Sequence, residues 1–192
     1  MKKAALLLLT LFITLLCIAQ QLYTPIDNGS KVHFVIKNFA IKTGGDFSGL
    51  RGAIYFDPAK LGASSIDVSV DASTVDTDSE MRDDHLKEDE YFDVAKYPTI
   101  TFRSTAITVH ENAIKVKGLL AIKEIKQEIE FDAKFLGIVP DPRGNIKAGF
   151  EMDLAFDRKD FNITWNEFFD KQGILISDQV KLHADVQLLK IK

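Results

Sequence analysis

His85 is the side chain best placed to do chemistry, because Asp83 and Asp84 adjoin it in the run Arg82-Asp83-Asp84-His85-Leu86. An imidazole beside a carboxylate is a general base in waiting, but a hydrolase also needs a nucleophile. No G-x-S-x-G elbow occurs anywhere in the chain. The other histidines, His33, His110 and His183, are scattered, and none stands at a metal-ligand spacing. His33 and His183 fall on outward positions of alternating segments, where a solvated imidazole is the expectation. Asp76, Asp78, Glu80, Asp83 and Asp84 crowd together without the central glycine and closing glutamate of a calcium loop. They read as a solvated face, with Arg82, Asp83 and His85 in a helix-stabilising or capping role. Gly44-Gly45 opens no helix and so makes no phosphate cradle. Cys17 is the only cysteine and lies in the apolar N-terminal run, so the rest of the chain has no thiol chemistry. The expectation is a protein without catalytic residues and without a metal.

The elements around these residues are mostly strands. Lys31 to Lys37 alternates, with Val32, Phe34 and Ile36 on one side, and Thr43-Gly44-Gly45-Asp46 reads as a turn. A second strand runs from Phe47 to Asp57, and Gly49 and Gly52 mark a bend or bulge in it. Ser64 to Asp71 alternates cleanly, and a short surface helix is expected in the charged run before Tyr91-Phe92. Strands follow at Thr99 to Ser104, Ala106 to His110, Ala113 to Ile122, Gln127 to Leu136, Ile146 to Phe156 and Val180 to Lys190. Leu22 to Ser30, with its Asp27-Asn28-Gly29 turn, reads as a lead-in. The result is about eight or nine antiparallel strands and one helical insertion. Periodicity leaves a sandwich and a closed barrel both open, though the bending glycines favour closure.

Met1-Lys2-Lys3 followed by the apolar run Ala4 to Ile18 and the small Ala19 has the order of a secretory signal. An apolar core of about 15 residues is short for a spanning helix. Residues 1–19 are therefore expected to be cleaved, leaving one domain over 20–192 in the periplasm or secreted. Leu16 stands where a lipoprotein signal needs a small residue, which argues against anchoring through Cys17. The net charge of −4 repels phosphate backbones, so no nucleic-acid partner is expected. No heptad or apolar stripe fixes the oligomeric state, and a dimer stays open.

What remains is apolar wall. The chain holds 14 Phe and one Trp, and its strands align Phe, Ile, Val and Leu in rows. Such rows either fill a core or line a cavity. Burying an alkyl chain of some twenty carbons would yield on the order of 16 kcal/mol gross, so a hollow interior can hold a lipid without any reactive residue. Phe34, Phe56, Phe102, Phe131, Phe135, Phe150 and Phe156 are the candidate wall residues, with Tyr91 and Trp165 nearer a mouth.

The ordered motifs R-D-x-H-L, E-Y-F-D-V and K-Y-P-T-I-T-F-R-S between Arg82 and Ser104 resemble the signature of the YceI-like family of lipid- and polyisoprenoid-binding proteins. The strand V-x-F-V-I-K-N-F, the segment G-D-F-S-G-L-R-G-A-I-Y-F-D, A-G-F at Ala148 to Phe150 and R-K-D-F at Arg158 to Phe161 extend the likeness. Glu124 stands where the family commonly has glycine, a departure at a hairpin turn. The resemblance implies an all-β fold, an extended antiparallel eight-stranded lipocalin-like β-barrel with a short helical insertion. It also implies a polyisoprenoid (an isoprenoid quinone or polyprenyl lipid) or other long-chain lipid in the hollow, with a carrier or storage role and no catalysis. No other cofactor is implied, and transient membrane contact stays open. Two other readings compete: a structural or stress-related cell-envelope protein with a filled core, and an envelope hydrolase using His85.

Overall fold

The computed structural model describes residues 20–26, 29–38, 41–111, 113–164 and 176–191. The N-terminal segment with Cys17, the Asp27-Asn28 turn and Trp165 lie outside the described residues. The strands are β1 (Gln21–Pro25), β2 (Lys31–Asn38), β3 (Ile41–Phe47), β4 (Arg51–Phe56) and β5 (Ser65–Asp71). Helix α1 (Glu80–Lys87) precedes β6 (Thr99–His110), β7 (Ala113–Ile122), β8 (Ile125–Pro140), β9 (Ile146–Asp157) and β10 (Ile176–Lys190).

All pairings are antiparallel, and the order β1-β4-β5-β6-β7-β8-β9-β10 returns on itself because β1 also pairs with β10. Eight strands thus close a barrel, as the resemblance implies. Closure leaves no free edge along that ring. The lead-in expected before Ser30 is in fact the closing strand: Tyr23 faces Ile54 on one side and Lys190 on the other. Next to it, the β2–β3 hairpin continues the wall along the rest of β10, from Asp185 to Ile176.

Other expectations about local structure change as well, and the expected strands Thr99 to Ser104 and Ala106 to His110 are one, β6. The Thr43 to Asp46 stretch is strand, paired residue for residue with Ile36 to His33. Its glycines serve close approach: a Cβ on Gly44 would meet the His33 ring at 2.9 Å, and one on Gly45 would meet Phe34 and Thr77 at 2.7 Å. The second expected strand is broken at 48–50, where Gly49 takes a φ of 71°, and it resumes at Arg51. That break is the bend the glycines marked. Gly52 then lies so close to β5 that a Cβ would come within 2.7 Å of the Val68 Cα.

Bulges keep the alternation in phase with the barrel. The register of β6 against β7 shifts between Ser104 and Ala106. Phe102 before the shift and Ile107 after it consequently both point inward, although their numbers differ in parity. A second shift, between Phe135 and Gly137, bends the far end of β8. Leu136 within it and Val139 beyond it are exposed. The Lys123-Glu124 turn joins β7 and β8 directly, with Lys123 at a φ of 56°. Glu124 therefore affects a two-residue loop and leaves the barrel untouched.

Helix α1 has no buried residue and is held at its start. Arg82 Nε donates to Thr77 Oγ1 at 2.8 Å and its terminal nitrogen to the Thr77 carbonyl at 2.7 Å, while the Asp83 carboxylate accepts from the Thr77 amide at 2.8 Å. Thr77 is itself buried and follows the Asp46–Asp76 bridge to β3. The charged run thus clamps the helix onto the barrel end, the structural role expected of Arg82 and Asp83.

Candidate functional site

The inward rows do not fill the barrel. They enclose one continuous cavity of about 310 Å³. Its lining reaches from Asn38, Thr43 and Ile176 at the helix end to Leu61, Ile114 and Leu188 at the other. Along β10, the distance from Ile176 to Leu188 is about 40 Å of strand. Barrel strands tilt by roughly 40°, which makes the cavity on the order of 30 Å long on the axis.

The two ends differ in packing and polarity. At the far end Tyr23, Phe56 and Leu188 are each 1% exposed. Phe56 stacks edge-on against Tyr23 at 5.5 Å and Phe150 at 5.3 Å, and Phe135 lies 5.1 Å from Phe150. This aromatic plug closes the floor, and burial pushes the Tyr23 phenol above its ordinary pKa. The helix end carries Asn38, Thr43, Thr77, Arg82, His85 and Arg158 of the polar lining, which also includes Ser64, Ser69 and Thr101.

Both arginines there are tied to the protein. Arg82 is committed to Thr77, and Arg158, 4% exposed, donates to the Ile163 carbonyl at 2.7 Å and the Ser177 carbonyl at 3.0 Å. Asp178 lies 3.4 Å from the Arg158 guanidinium. A buried guanidinium with its hydrogens on carbonyls and a carboxylate is a structural cross-link, joining the turn after β9 to the start of β10. His85 packs edge-on against the Tyr91 ring at 5.2 Å, and its Nε2 lies 3.9 Å from Glu90.

The structure brings most of the expected wall residues together. Phe34, Phe56, Phe102, Phe131, Phe150, Phe156 and Tyr91 line the cavity. Phe135 stands behind Phe56 and Phe150 in the plug, and Trp165 is outside the described residues. Two aromatic wall residues escaped the pattern reading: Phe47 and Phe92, whose rings meet edge-on at 5.5 Å beside Phe34. Phe47 was hidden because the glycines before it read as a turn, and Phe92 because it follows a helix and belongs to no alternating strand. Both sit inside the quoted motifs, G-D-F and E-Y-F, and that was the available signal.

On the outer wall His183 pairs with Asp153 at 2.8 Å and His33 with Asp46 at 2.8 Å. Asp153 holds the His183 imidazole above its ordinary pKa. Glu151, His183 and Asp185 bring one ligating atom each within 4.8 Å of one another. Lys134 sits 3.3 Å from Glu151, however, and Asp153 occupies the other His183 nitrogen. These groups form an exposed cross-strand ion-pair patch, of the kind worth little individually.

A profile of the YceI-like domain matches residues 23–188. The chain belongs to the YceI-like family. Among curated relatives, a UPF0312 protein of Pectobacterium carotovorum is 35% identical over 120 residues, which is 62% of this chain and 62% of that protein. The aligned part thus falls short of two thirds of the relative's length. Among solved structures, BcnA of Burkholderia cenocepacia superposes with a TM-score of 0.75 at 26% identity, over 85% of this chain and 98% of its own. A polyisoprenoid binding domain from Saccharophagus degradans, implicated in plant cell wall breakdown, gives a TM-score of 0.62 at 15% identity, over 88% and 98%. That second likeness is one of fold. This YceI-like chain has the barrel its motifs implied.

Proposed function

We propose that this YceI-like protein binds a long-chain lipid, with an isoprenoid tail such as that of an isoprenoid quinone or polyprenyl lipid, inside the barrel, and carries or stores it without catalysis. The observation that carries the reading is the continuous apolar cavity within a closed wall. An engineered cavity of about 150 Å³ admits a benzene ring, so about twice that volume takes on the order of a dozen carbons. At about 0.8 kcal/mol per methylene, their burial contributes roughly 10 kcal/mol gross, enough for tight binding after the costs of ordering the chain. The remainder of a longer tail extends through the polar end or spreads the half-buried wall. The polyisoprenoid-binding description of the Saccharophagus degradans domain supports the choice of ligand class.

The same reading includes residence in the periplasm or secretion after loss of residues 1–19, and transient membrane contact during loading. It assigns His85 to the mouth of the cavity as a wall residue. The test is mass spectrometry of an organic extract from natively purified mature protein. A stoichiometric isoprenoid or other long-chain lipid is expected. An empty extract, together with no uptake of an added isoprenoid quinone, would overturn the reading.

A further inference from the structure

The mouth of the cavity has a rim that is basic and apolar at one point. At the end of the β2–β3 hairpin, Asn38 is paired with Ile176 of β10 on one side and with Ile41 of β3 on the other. Asn38, Thr43 and Ile176 line the hollow, so this hairpin end stands at its opening. Ile41 shares the strand phase of the lining residues Thr43 and Phe47, yet it lies past the hollow and is 71% exposed. Lys37 and Lys42, on the opposite phase, are exposed and directly across from one another. Like charges facing each other across a strand pair repel. Neither lysine has an ion-pair partner among the described residues. On the barrel wall, by contrast, Lys115 sits on Glu130, Lys117 on Glu128 and Lys134 on Glu151.

An exposed apolar side chain beside two uncompensated ammonium groups has the chemistry of an interfacial anchor. The apolar group enters among lipid headgroups, and the lysines meet anionic phosphates. We propose that the β2–β3 hairpin end docks the open end of the barrel on an anionic lipid bilayer, with Lys37 and Lys42 on the phosphates and Ile41 among the headgroups. This rests on the lipid-binding reading, in which cargo passes between barrel and membrane, and it sets the mouth against that membrane. Two other exposed apolar sites fit less well. Met81 is 85% exposed at the same end, but Glu80, Asp83 and Asp84 surround it in the helix, and an anionic surface repels them. Leu136 and Val139 are exposed at the plugged end, where cargo has no entrance.

Co-sedimentation of the mature protein with phosphatidylglycerol–phosphatidylcholine vesicles, and with pure phosphatidylcholine vesicles, tests this. Wild type should prefer the anionic vesicles. A lysine at an anionic surface is worth roughly fivefold in affinity, so Lys37→Gln combined with Lys42→Gln should bind them about 25-fold less well. Ile41→Ser should weaken binding severalfold. Lys60→Gln combined with Lys147→Gln removes the same charge at the plugged end and should bind as wild type does. Equal binding of wild type to both vesicles, no binding to either, or an unchanged affinity in the Lys37→Gln, Lys42→Gln variant would overturn the proposal. Uptake of an isoprenoid quinone added from ethanol needs no membrane and separates the two readings. If wild type takes up the quinone but fails on vesicles, the docking proposal falls alone. If it takes up none, the lipid-binding reading falls and this proposal with it.

Discussion

Ala133 offers a direct way to remove the cavity while leaving the fold in place. It faces inward from the middle of β8, opposite Ile114 on β7 and Met152 on β9, and it lines the hollow. Ala133→Phe places a phenyl ring there. The ring needs about the space of a benzene molecule, on the order of 150 Å³, which is half of the 310 Å³ present. About six carbons of cargo lose their place, worth roughly 5 kcal/mol gross at 0.8 kcal/mol per methylene. Some of the displaced chain will relax along the cavity towards the mouth, so half of that figure is the reasonable expectation. It corresponds to about a 70-fold weaker dissociation constant. Filling a void restores packing contacts, so the ligand-free variant should unfold at or above the wild-type temperature. The assay is displacement of a fluorescent fatty or isoprenoid probe, run beside thermal denaturation. Lys134→Ala, one residue along on the outer face, is the control and should bind normally. A folded Ala133→Phe that binds within threefold of wild type would mean the cargo does not sit in the barrel.

Phe161 is fully buried and packs edge-on against the cavity residue Phe156 at 5.3 Å, so Phe161→Ala should cost about 3–5 kcal/mol in urea unfolding. Arg158→Leu removes a buried guanidinium together with its bonds to the Ile163 and Ser177 carbonyls. It should destabilise by about 3 kcal/mol, and a variant as stable as wild type would show that those carbonyls find other partners. Gly52→Ala sets a Cβ against the β5 backbone at a φ of 142°, and should lower the melting point by several degrees. His183, raised by Asp153, should titrate by NMR above the ordinary value of about 6.5. Its contribution to stability is complete below that unfolded value and is lost as pH rises through the folded one. Asp153→Asn should move the midpoint down, and an unmoved midpoint would refute the pairing.

The alternation of residues along the chain carried most of the fold. Where a strand was long and one face was apolar, as in Ala113 to Ile122, the reading and the structure agree to the residue. It failed where glycines act between strands instead of within a turn. Gly44 and Gly45 look like a turn from their own neighbours, and the need for them comes from His33, Phe34 and Thr77 across the sheet. The short strand Gln21–Pro25 was illegible for a similar reason. Its five residues have no strong pattern, and its pairing is set by β4 and β10 far away in sequence. The site was legible to a lesser degree. The phase of each strand fixes which side chains point inward, but the depth at which opposing rows meet depends on how the barrel is sheared. Phe135 and Phe150 are cross-strand partners with the same inward phase, yet only Phe150 reaches the cavity.

That difference also separates a hollow barrel from a filled one. Tyr23 and Phe56, on neighbouring strands, pack ring against ring, and both they and Leu188 are fully buried. Phe34, Ile66, Val68, Phe102, Met152 and Leu154 point inward just as firmly and are only half-buried. A dry, well-packed interior would bury them, because protein cores pack as densely as organic crystals. Inward-facing aromatic and aliphatic side chains left accessible at mid-barrel carry a hydrophobic cost that nothing in the chain itself recovers. A hydrocarbon guest recovers it. For this reason the ligand-free protein should be measurably less stable than the loaded one, with a melting temperature that climbs as an isoprenoid lipid is titrated in. A melting temperature indifferent to saturating lipid would show that the mid-barrel rows close on each other in solution, and would favour the filled-core envelope protein over the carrier.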